Sequence, residues 1–499
     1  MRQPFWWLLI LLVALAFAFQ GTRGLWEPDE GRYTSTGINM LESGNWLLPT
    51  VDGEHPHLTK PPVTYWALAA SFGLLGMNEW AARLPAALAF IGTGLLLLGL
   101  GRRLCPVRPW LPAVIYALSL APYIGANVVS TDTLLTFFET AAMFAFVEAW
   151  HRNAALERRW IRAMWVLWGL AFMTKGPPGL IPLLAVVLLL AWQDRASLRR
   201  LLDPVGLAAF AVVAFTWFGI LIAQEPDRLG YFLGYEVYDR IFTAKQDRNS
   251  GWYDWIEVYG PMFVVGALPW WVLALVAAGG PRAAWAAFRV RLRNRDRAWL
   301  LLAAWFFLPL TVFILARSRL QLYVLPLFVP LSLMLGRALG HWGWLTTRRL
   351  AWIAATTAVA LVALKGVVGH WSGDRDARQM ARSIAHVVDM HGIEEIAFVG
   401  MRAFYGLSLY LDVRIESVDF GEQTHELSRF VATDDLCTEL AERESNVYAL
   451  KESRIEKFLS GVARCEGARP ERIGDFMGDG NRIVLFRVAP ASAGPPDAE

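Results

Sequence analysis

The stretch Trp26–Tyr33, WEPDEGRY, decides how this chain reads. It sets two adjacent carboxylates, Asp29 and Glu30, and the cation Arg32 directly after the apolar run Phe5 to Phe19. A span takes about 20 apolar residues, so that run crosses a bilayer with a little help from its flanks. Charges at the mouth of a membrane helix are costly unless they face water or a site. Further on, His57–Trp66 reads HLTKPPVTYW, with Lys60 before two prolines. Carboxylates and a cation held on one membrane face suit chemistry on an anionic, lipid-borne substrate.

The bulk composition agrees. Of 499 residues, 55% are hydrophobic and 18% are charged. Soluble domains carry about 45–50% apolar and about 25% charged residues, so that class is excluded. The excess falls in runs of bilayer length, which makes this a polytopic α-helical membrane protein. The 24 tryptophans suit anchoring at the headgroup level. The first apolar run has no small-residue cleavage site before the acidic stretch and reads as a retained helix. Repeats and low-complexity linkers are absent from the pattern, and residues 489–499 have the composition of a disordered tail.

The candidate spans are 5–20, 82–101, 108–123, 133–150, 161–174, 178–192, 204–222, 258–279, 298–316, 320–336 and 350–368. Arginines gather in alternate loops. Arg102, Arg103 and Arg108 follow the second span, Arg158, Arg159 and Arg162 the fourth, and Arg195, Arg199 and Arg200 the sixth. Arg289, Arg291 and Arg293 follow the eighth, and Arg337, Arg348 and Arg349 the tenth. With eleven spans all of these lie on one side, the cytoplasm by the positive-inside rule. The long loops 21–81 and 223–257 then face outward. Pro61–Gly76 is apolar enough to be a further span, but counting it would turn every later Arg cluster outward. It is therefore read as a short helix at the outer face, started by Pro61 and Pro62; the alternative is twelve spans.

After Val368 the pattern changes. IEEIAFVG, VRIESVDF, SNVYALKES and NRIVLFRV read as strands, alternating with the helical stretches 375–392 and 454–465. Residues 369–488 are thus expected to form a small outward-facing α/β domain, with 1–368 as the membrane domain. Cys437 and Cys465 both fall in it. Spacing alone does not give proximity, so pairing and free thiols both stay open.

With that topology, charged residues at outer helix ends form a set. Asp29, Glu30, Arg32 and Tyr33 follow the first span, and Lys60 precedes the outer helix. Asp132, in VVSTDTLLTFF, opens the fourth span, and Lys175, in MTKGPPGL, closes the fifth. Glu236, Arg240, Lys245 and Arg248 precede the eighth, and Arg319 and Tyr323 lie in ARSRLQLYVLP before the tenth. Singly, each has a bland reading: a cation snorkelling to headgroups, or Asp132 as a helix cap. Together, on short turns, several cations call for an anion, and phosphate is the common lipid-borne one.

Those residues carry a resemblance. PDEGRY, MLESGNWLLP, TKPPVTYW and RLP are similar to the first outer loop of the bacterial aminoarabinose transferases. That family shares the C-type glycosyltransferase fold with protein O-mannosyltransferases. The resemblance covers roughly residues 5–340. It implies an undecaprenyl-phosphate sugar donor, an acceptor such as lipid A or another envelope glycolipid on the periplasmic face of the inner membrane, and no nucleic-acid partner. Carried over by position, Asp29 resembles the essential first-loop acid and Asp132 the second, while Lys60, Arg240 or Arg248, Arg319 and Tyr323 resemble donor-phosphate contacts. The residues themselves add Glu30 to the catalytic set and Arg32, Tyr33 and Lys175 to the phosphate set. Thr59 and Asp247 stand where the family usually has Glu and His, so no family-like metal site is expected; weak binding of a hard divalent cation is the alternative. The implied reaction is an inverting single displacement. A protein O-glycosyltransferase and a lipid-linked-sugar flippase are the rival readings.

Reporter fusions test the charge argument. Fusions after residues 78 and 370 are expected to report the periplasm and one after residue 295 the cytoplasm; a cytoplasmic signal at 78 or 370 overturns the eleven-span scheme.

Overall fold

A computed structural model describes residues 2–151, 154–193, 195–239, 249–371, 373–420, 434–442, 447–465 and 469–489. Helices lie under each expected span. They are α1 (Arg2–Phe17), α4 (Glu79–Leu104), α7 (Thr131–Trp150), α8 (Ala154–Lys175), α9 (Ile181–Gln193), Pro204–Gln224, Arg297–Leu315, Phe328–Gly340 and Thr347–Gly369. Two expected spans are broken. Residues 108–123 become α5 (Leu111–Ala117) and α6 (Leu120–Ala126). Residues 258–279 become Asp254–Val264 and Trp270–Ala278. Pro112, Pro122, Pro261 and Pro269 stand in or beside these four pieces, and each proline removes a backbone donor.

Eleven is therefore not the number reached by length and composition. Among the described residues, six helices are long and apolar enough to cross a membrane, or seven if the bent pair Trp270–Ala278 and Pro281–Arg293 counts as one. Part of the shortfall comes from length, since α1 has 16 residues and α9 has 13, and part from composition, since α8 is 22 residues long but carries Arg158, Arg159 and Arg162. The awkward apolar segment after Lys60 folds as α3 (Val63–Leu75), 13 residues long. At 1.5 Å per residue it reaches about 20 Å, short of the ~30 Å hydrocarbon core. The protein is a multi-pass membrane protein. The helix Thr347–Gly369 buries only Leu350 and Leu361, as suits a helix whose surroundings are lipid.

Two compact units divide the chain. The first gathers Met1–Gln20, Thr59–Thr64 and Arg83–Gly366. Its core holds Trp168, Trp270 and Trp305, fully enclosed, while Trp6, Trp7 and Trp352 are exposed. The indoles thus serve both as core volume and as surface groups. The second unit gathers Gly21–Leu58, Tyr65–Ala82 and Val367–Glu499. The sequence boundary at 368/369 separates the first outer loop from the C-terminal domain, whereas contacts cluster most of that loop with it. The physical cause is local pairing. Glu27 N–H donates to the Arg375 carbonyl at 2.9 Å, and Ala377 N–H donates to the Leu25 carbonyl at 2.9 Å.

The second unit is built on a six-stranded sheet in the order β3-β2-β1-β4-β6-β5. The strands are β1 (Glu395–Val399), β2 (Arg414–Asp419), β3 (Asp434–Asp435), β4 (Val447–Lys451), β5 (Arg469–Gly478) and β6 (Asn481–Ala489). β1 runs parallel to β2 and β4, with Ile396 opposite both Ile415 and Val447. β4 and β6 are antiparallel, as are β6 and β5. Alternation along β1 sorts the two cores. Ile396 and Phe398 pack with Met380, Ile384 and Val388 of the helix Ala377–His391. Ala397 and Val399 pack with Leu436, Phe458 and Val462 on the opposite face. β1 and β4 are buried on both faces, which is why they read as short apolar runs. Residues 490–499 of the expected tail lie outside the described residues.

Cys437 and Cys465 are bridged, with Cα atoms 5.2 Å apart and a sequence separation of 28. The bond ties the helix Leu436–Glu442 to the end of Ile455–Cys465. Cys105 is the buried free thiol. Alkylation of the unreduced, denatured chain is expected to label Cys105 alone, and reduction to expose the other two. Cys437→Ser should destabilise the sheet domain by about 3 kcal/mol, read by hydrogen exchange on β1 and β4 in the intact chain.

Candidate active site

Helices α7 and α8 run back along each other, so the last residue of α8 returns to the first turn of α7. That connectivity brings Lys175 to Asp132, 43 residues away in sequence. Ser130, not Asp132, caps α7: its hydroxyl accepts the Asp132 N–H at 3.3 Å. The Asp132 side chain is thereby released from capping and forms a direct ion pair with Lys175 Nζ. The two side chains are only 9% and 7% exposed. Gly176, at φ +74°, ends α8, and a 3-10 turn Pro177–Leu180 restarts the chain. Lys175 Nζ also stands 4.0 Å from the ring centre of Tyr323, in the turn Gln321–Leu327. Three residues chosen from sequence, Asp132, Lys175 and Tyr323, thus meet.

Glu139 belongs to the same helix face, seven residues on. It is 3% exposed, and its Oε2 has no hydrogen-bond partner among the described residues. Its signal in the sequence is a lone carboxylate inside TLLTFFETAAM, the pattern that marks an intramembrane site.

Lys60 is 8% exposed. Its Nζ donates to the Thr59 carbonyl at 2.6 Å and lies 4.0 Å from Glu236 Oε2. Tyr231 Oη donates to Glu236 Oε1 at 3.3 Å. Glu236 therefore joins the site as a partner of Lys60. Arg319 is placed differently from its expected role. It is 4% exposed, and its guanidinium donates to the carbonyls of Asn249 at 2.8 Å, Gly251 at 2.7 Å and Ile314 at 3.0 Å. Those bonds tie the end of the helix Arg297–Leu315 to Asn249–Gly251, and a phosphate would have to replace some of them. Arg240, Lys245, Asp247 and Arg248 lie outside the described residues.

In the second unit, WEPDEGRY opens α2 (Asp29–Ser43). The Asp29 carboxylate is 59% exposed and pairs with Arg32, one turn on, at 2.6 Å. Arg32 lies 5.5 Å from the Tyr33 ring centre. Glu30 departs from its expected catalytic role. It turns inward, pairs with Arg23 at 2.6 Å and accepts the Trp26 N–H at 2.8 Å. Arg23 in turn covers the Trp26 indole at 4.1 Å. Of the two adjacent acids, Asp29 keeps most of its carboxylate exposed and Glu30 holds the turn.

Among the described residues, the carboxylates with metal-like spacing are Glu395, Glu416 and Glu439, with ligand atoms within 4.8 Å of one another. Arg414 lies 3.2 Å from Glu395 and supplies positive charge there. All three belong to the sheet domain, apart in sequence from Thr59 and Asp247.

Comparison with known proteins fits this arrangement. The family model described as dolichyl-phosphate-mannose-protein mannosyltransferase matches residues 59–220. An undecaprenyl phosphate-alpha-4-amino-4-deoxy-L-arabinose arabinosyl transferase of Erwinia tasmaniensis is 33% identical over 321 residues, which is 63% of this chain and 55% of that protein. One of Pectobacterium atrosepticum is 29% identical over 420 residues, 80% of this chain and 70% of that protein. The chain spans 55% to 60% of the length of the first five curated relatives it matches. The crystal structure of ArnT from Cupriavidus metallidurans bound to undecaprenyl phosphate superposes with a TM-score of 0.75, at 20% identity, over 98% of both chains. The chain has the fold of that structure.

Removing one partner of a buried ion pair strands the other charge, at a cost of about 3–5 kcal/mol. Asp132→Asn and Lys175→Met are each expected to lower thermal stability in detergent on that scale. The double variant should recover much of the loss. Additive losses would mean that the pair does not form.

Proposed function

We propose that this chain transfers a sugar from a polyprenyl-phosphate donor to an acceptor at the periplasmic face of the inner membrane, with lipid A or another envelope glycolipid as acceptor. The observation that carries the reading is the Asp132–Lys175–Tyr323 cluster at the adjoining ends of α7 and α8. A carboxylate and a cation are buried there in a chain 33% identical to an arabinosyl transferase.

The chemistry follows from charge. An acceptor oxygen attacks the sugar C1 while the bond from C1 to the phosphate oxygen breaks, and the electron pair leaves on the phosphate. The anomeric centre inverts. The departing phosphate monoester gains negative charge, so Lys60 and Lys175 stabilise it more in the transition state than in the ground state. Glu236 and Asp132 keep these cations compensated before the donor arrives. If the acceptor is a hydroxyl, its proton passes to Asp29, which is exposed enough to receive it. If the acceptor is a phosphate, it is already a nucleophile, and Asp29 orients it.

The family model's description favours a second reading, transfer to protein. Mass spectrometry of lipid A and of envelope proteins, with and without the gene, separates the two. A sugar lost from lipid A upholds the first, and one lost from a protein the second. Asp29→Asn is expected to lower purified-enzyme transfer by about 10²–10⁴-fold. Its mostly exposed carboxylate predicts little change in melting temperature. Near-normal transfer would remove Asp29 from the mechanism.

A further inference from the structure

Glu27 precedes the catalytic acid by two residues and has no role in the mechanism above. Its side chain is enclosed, 4% exposed. Oε1 accepts the Gly406 N–H at 2.5 Å, while Oε2 has no hydrogen-bond partner among the described residues. The space around the carboxyl is closed by two glycines. A β-carbon at Gly31 would overlap both Glu27 oxygens and the Gly406 nitrogen. One at Gly406 would come within 2.5 Å of Glu27 Oε1 and 3.1 Å of Ala377 Cβ. The carboxyl is therefore clamped between the first turn of α2 and the turn Tyr405–Leu409 of the C-terminal domain.

The clamp brackets Asp29. Glu27 lies two residues before it and Gly31 two residues after. Between them the Pro28 carbonyl accepts the Arg32 N–H at 3.2 Å, and Arg32 pairs with Asp29 at 2.6 Å. A carboxylate offers about four lone-pair sites, and a single donor reaches this one. Burying a charge with so little compensation is costly, whereas a neutral acid fits. Burial pushes the Glu27 carboxyl well above the usual carboxylate range; the Gly406 amide and Arg32 oppose the rise, and Glu30 and Asp29 add to it.

We propose that Glu27 is a positioning residue for Asp29: its carboxyl, seated as a neutral acid on the Gly406 amide, carries the geometry of the C-terminal domain into the first turn of α2. Its activity readout rests on the transferase reading above. The C-terminal domain thereby has a part in the reaction.

The test uses the purified full chain, with transfer measured against donor concentration and with melting temperature as a second readout. Glu27→Gln keeps an acceptor oxygen and no charge, and should retain kcat within about threefold, because the neutral form is the one in place. Glu27→Ala and Gly406→Ala displace the turn from opposite sides; each should lower kcat on the order of 10²-fold with the donor KM little changed. Their double variant should be no worse than the poorer single one, because both break one contact. A Glu27→Gln enzyme as weak as Glu27→Ala overturns the assignment. So do additive losses, or a kcat loss that only follows the loss of folded protein. A wild-type chain without any transfer overturns the transferase reading and this assignment together, and its blank wild-type rate distinguishes that failure from the others.

Discussion

A cation and a carboxylate shut away at the ends of apolar helices constrain the rest of this structure. Lys175 and Asp132 are each less than a tenth exposed, where an uncompensated charge costs several kcal/mol. Each must find the other, so α8 has to end at the start of α7. The Gly176–Pro177–Pro178 turn stops α8 at the lysine, and Ser130 takes over the capping that Asp132 would otherwise supply. Two local devices thus serve one electrostatic requirement.

The same logic explains why the cations of the site come with partners. Lys60 is held by the Thr59 carbonyl with Glu236 at 4.0 Å, and Lys175 by Asp132 with the Tyr323 ring. Free cations in this setting would be unstable before any donor arrived. Paired ones are pre-placed at little cost, and in the proposed reaction the donor phosphate exchanges one anion for another. Arg319 shows the opposite case. Three backbone carbonyls absorb its guanidinium, so its charge is used in joining two loops.

Much of this was legible in the sequence, and the limits have physical causes. Apolar runs fixed where helices form, because bilayer length is written in composition. They did not reveal that 108–123 and 258–279 are broken, since prolines in apolar segments leave hydropathy unchanged. β1, β2, β4 and β6 were readable as β-branched and aromatic runs. β5, RPERIGDFMG, was not: it is an edge strand with a register shift between Arg472 and Gly474, and mostly polar side chains face out. Asp132, Lys175 and Tyr323 were found because each is a charge or a tyrosine at a helix end. Glu30 and Arg319 were chosen by the same rule, and their inward hydrogen bonds depend on tertiary packing that spacing does not encode. Glu139 and Glu27 were passed over: Glu139 is a lone carboxylate in mid-span, away from the helix ends, and Glu27 stands among the other charges of WEPDEGRY.

The clustering of residues 21–58 and 65–82 with 367–499 gives the last step. An acidic loop at the mouth of a membrane helix cannot hold its own shape, because it has too little apolar surface to bury. Here it borrows order from a sheet domain encoded more than 300 residues later: Leu25 and Glu27 pair with Arg375 and Ala377, Arg378 pairs with Glu79, and Glu27 seats on Gly406. The exposed Asp29 is therefore flanked by residues that are not free to move. A catalytic acid must be open to its ligand and still fixed in place. In the proposed mechanism the two demands are separated: openness falls to Asp29, and rigidity to Glu27, Glu30 and the domain behind them.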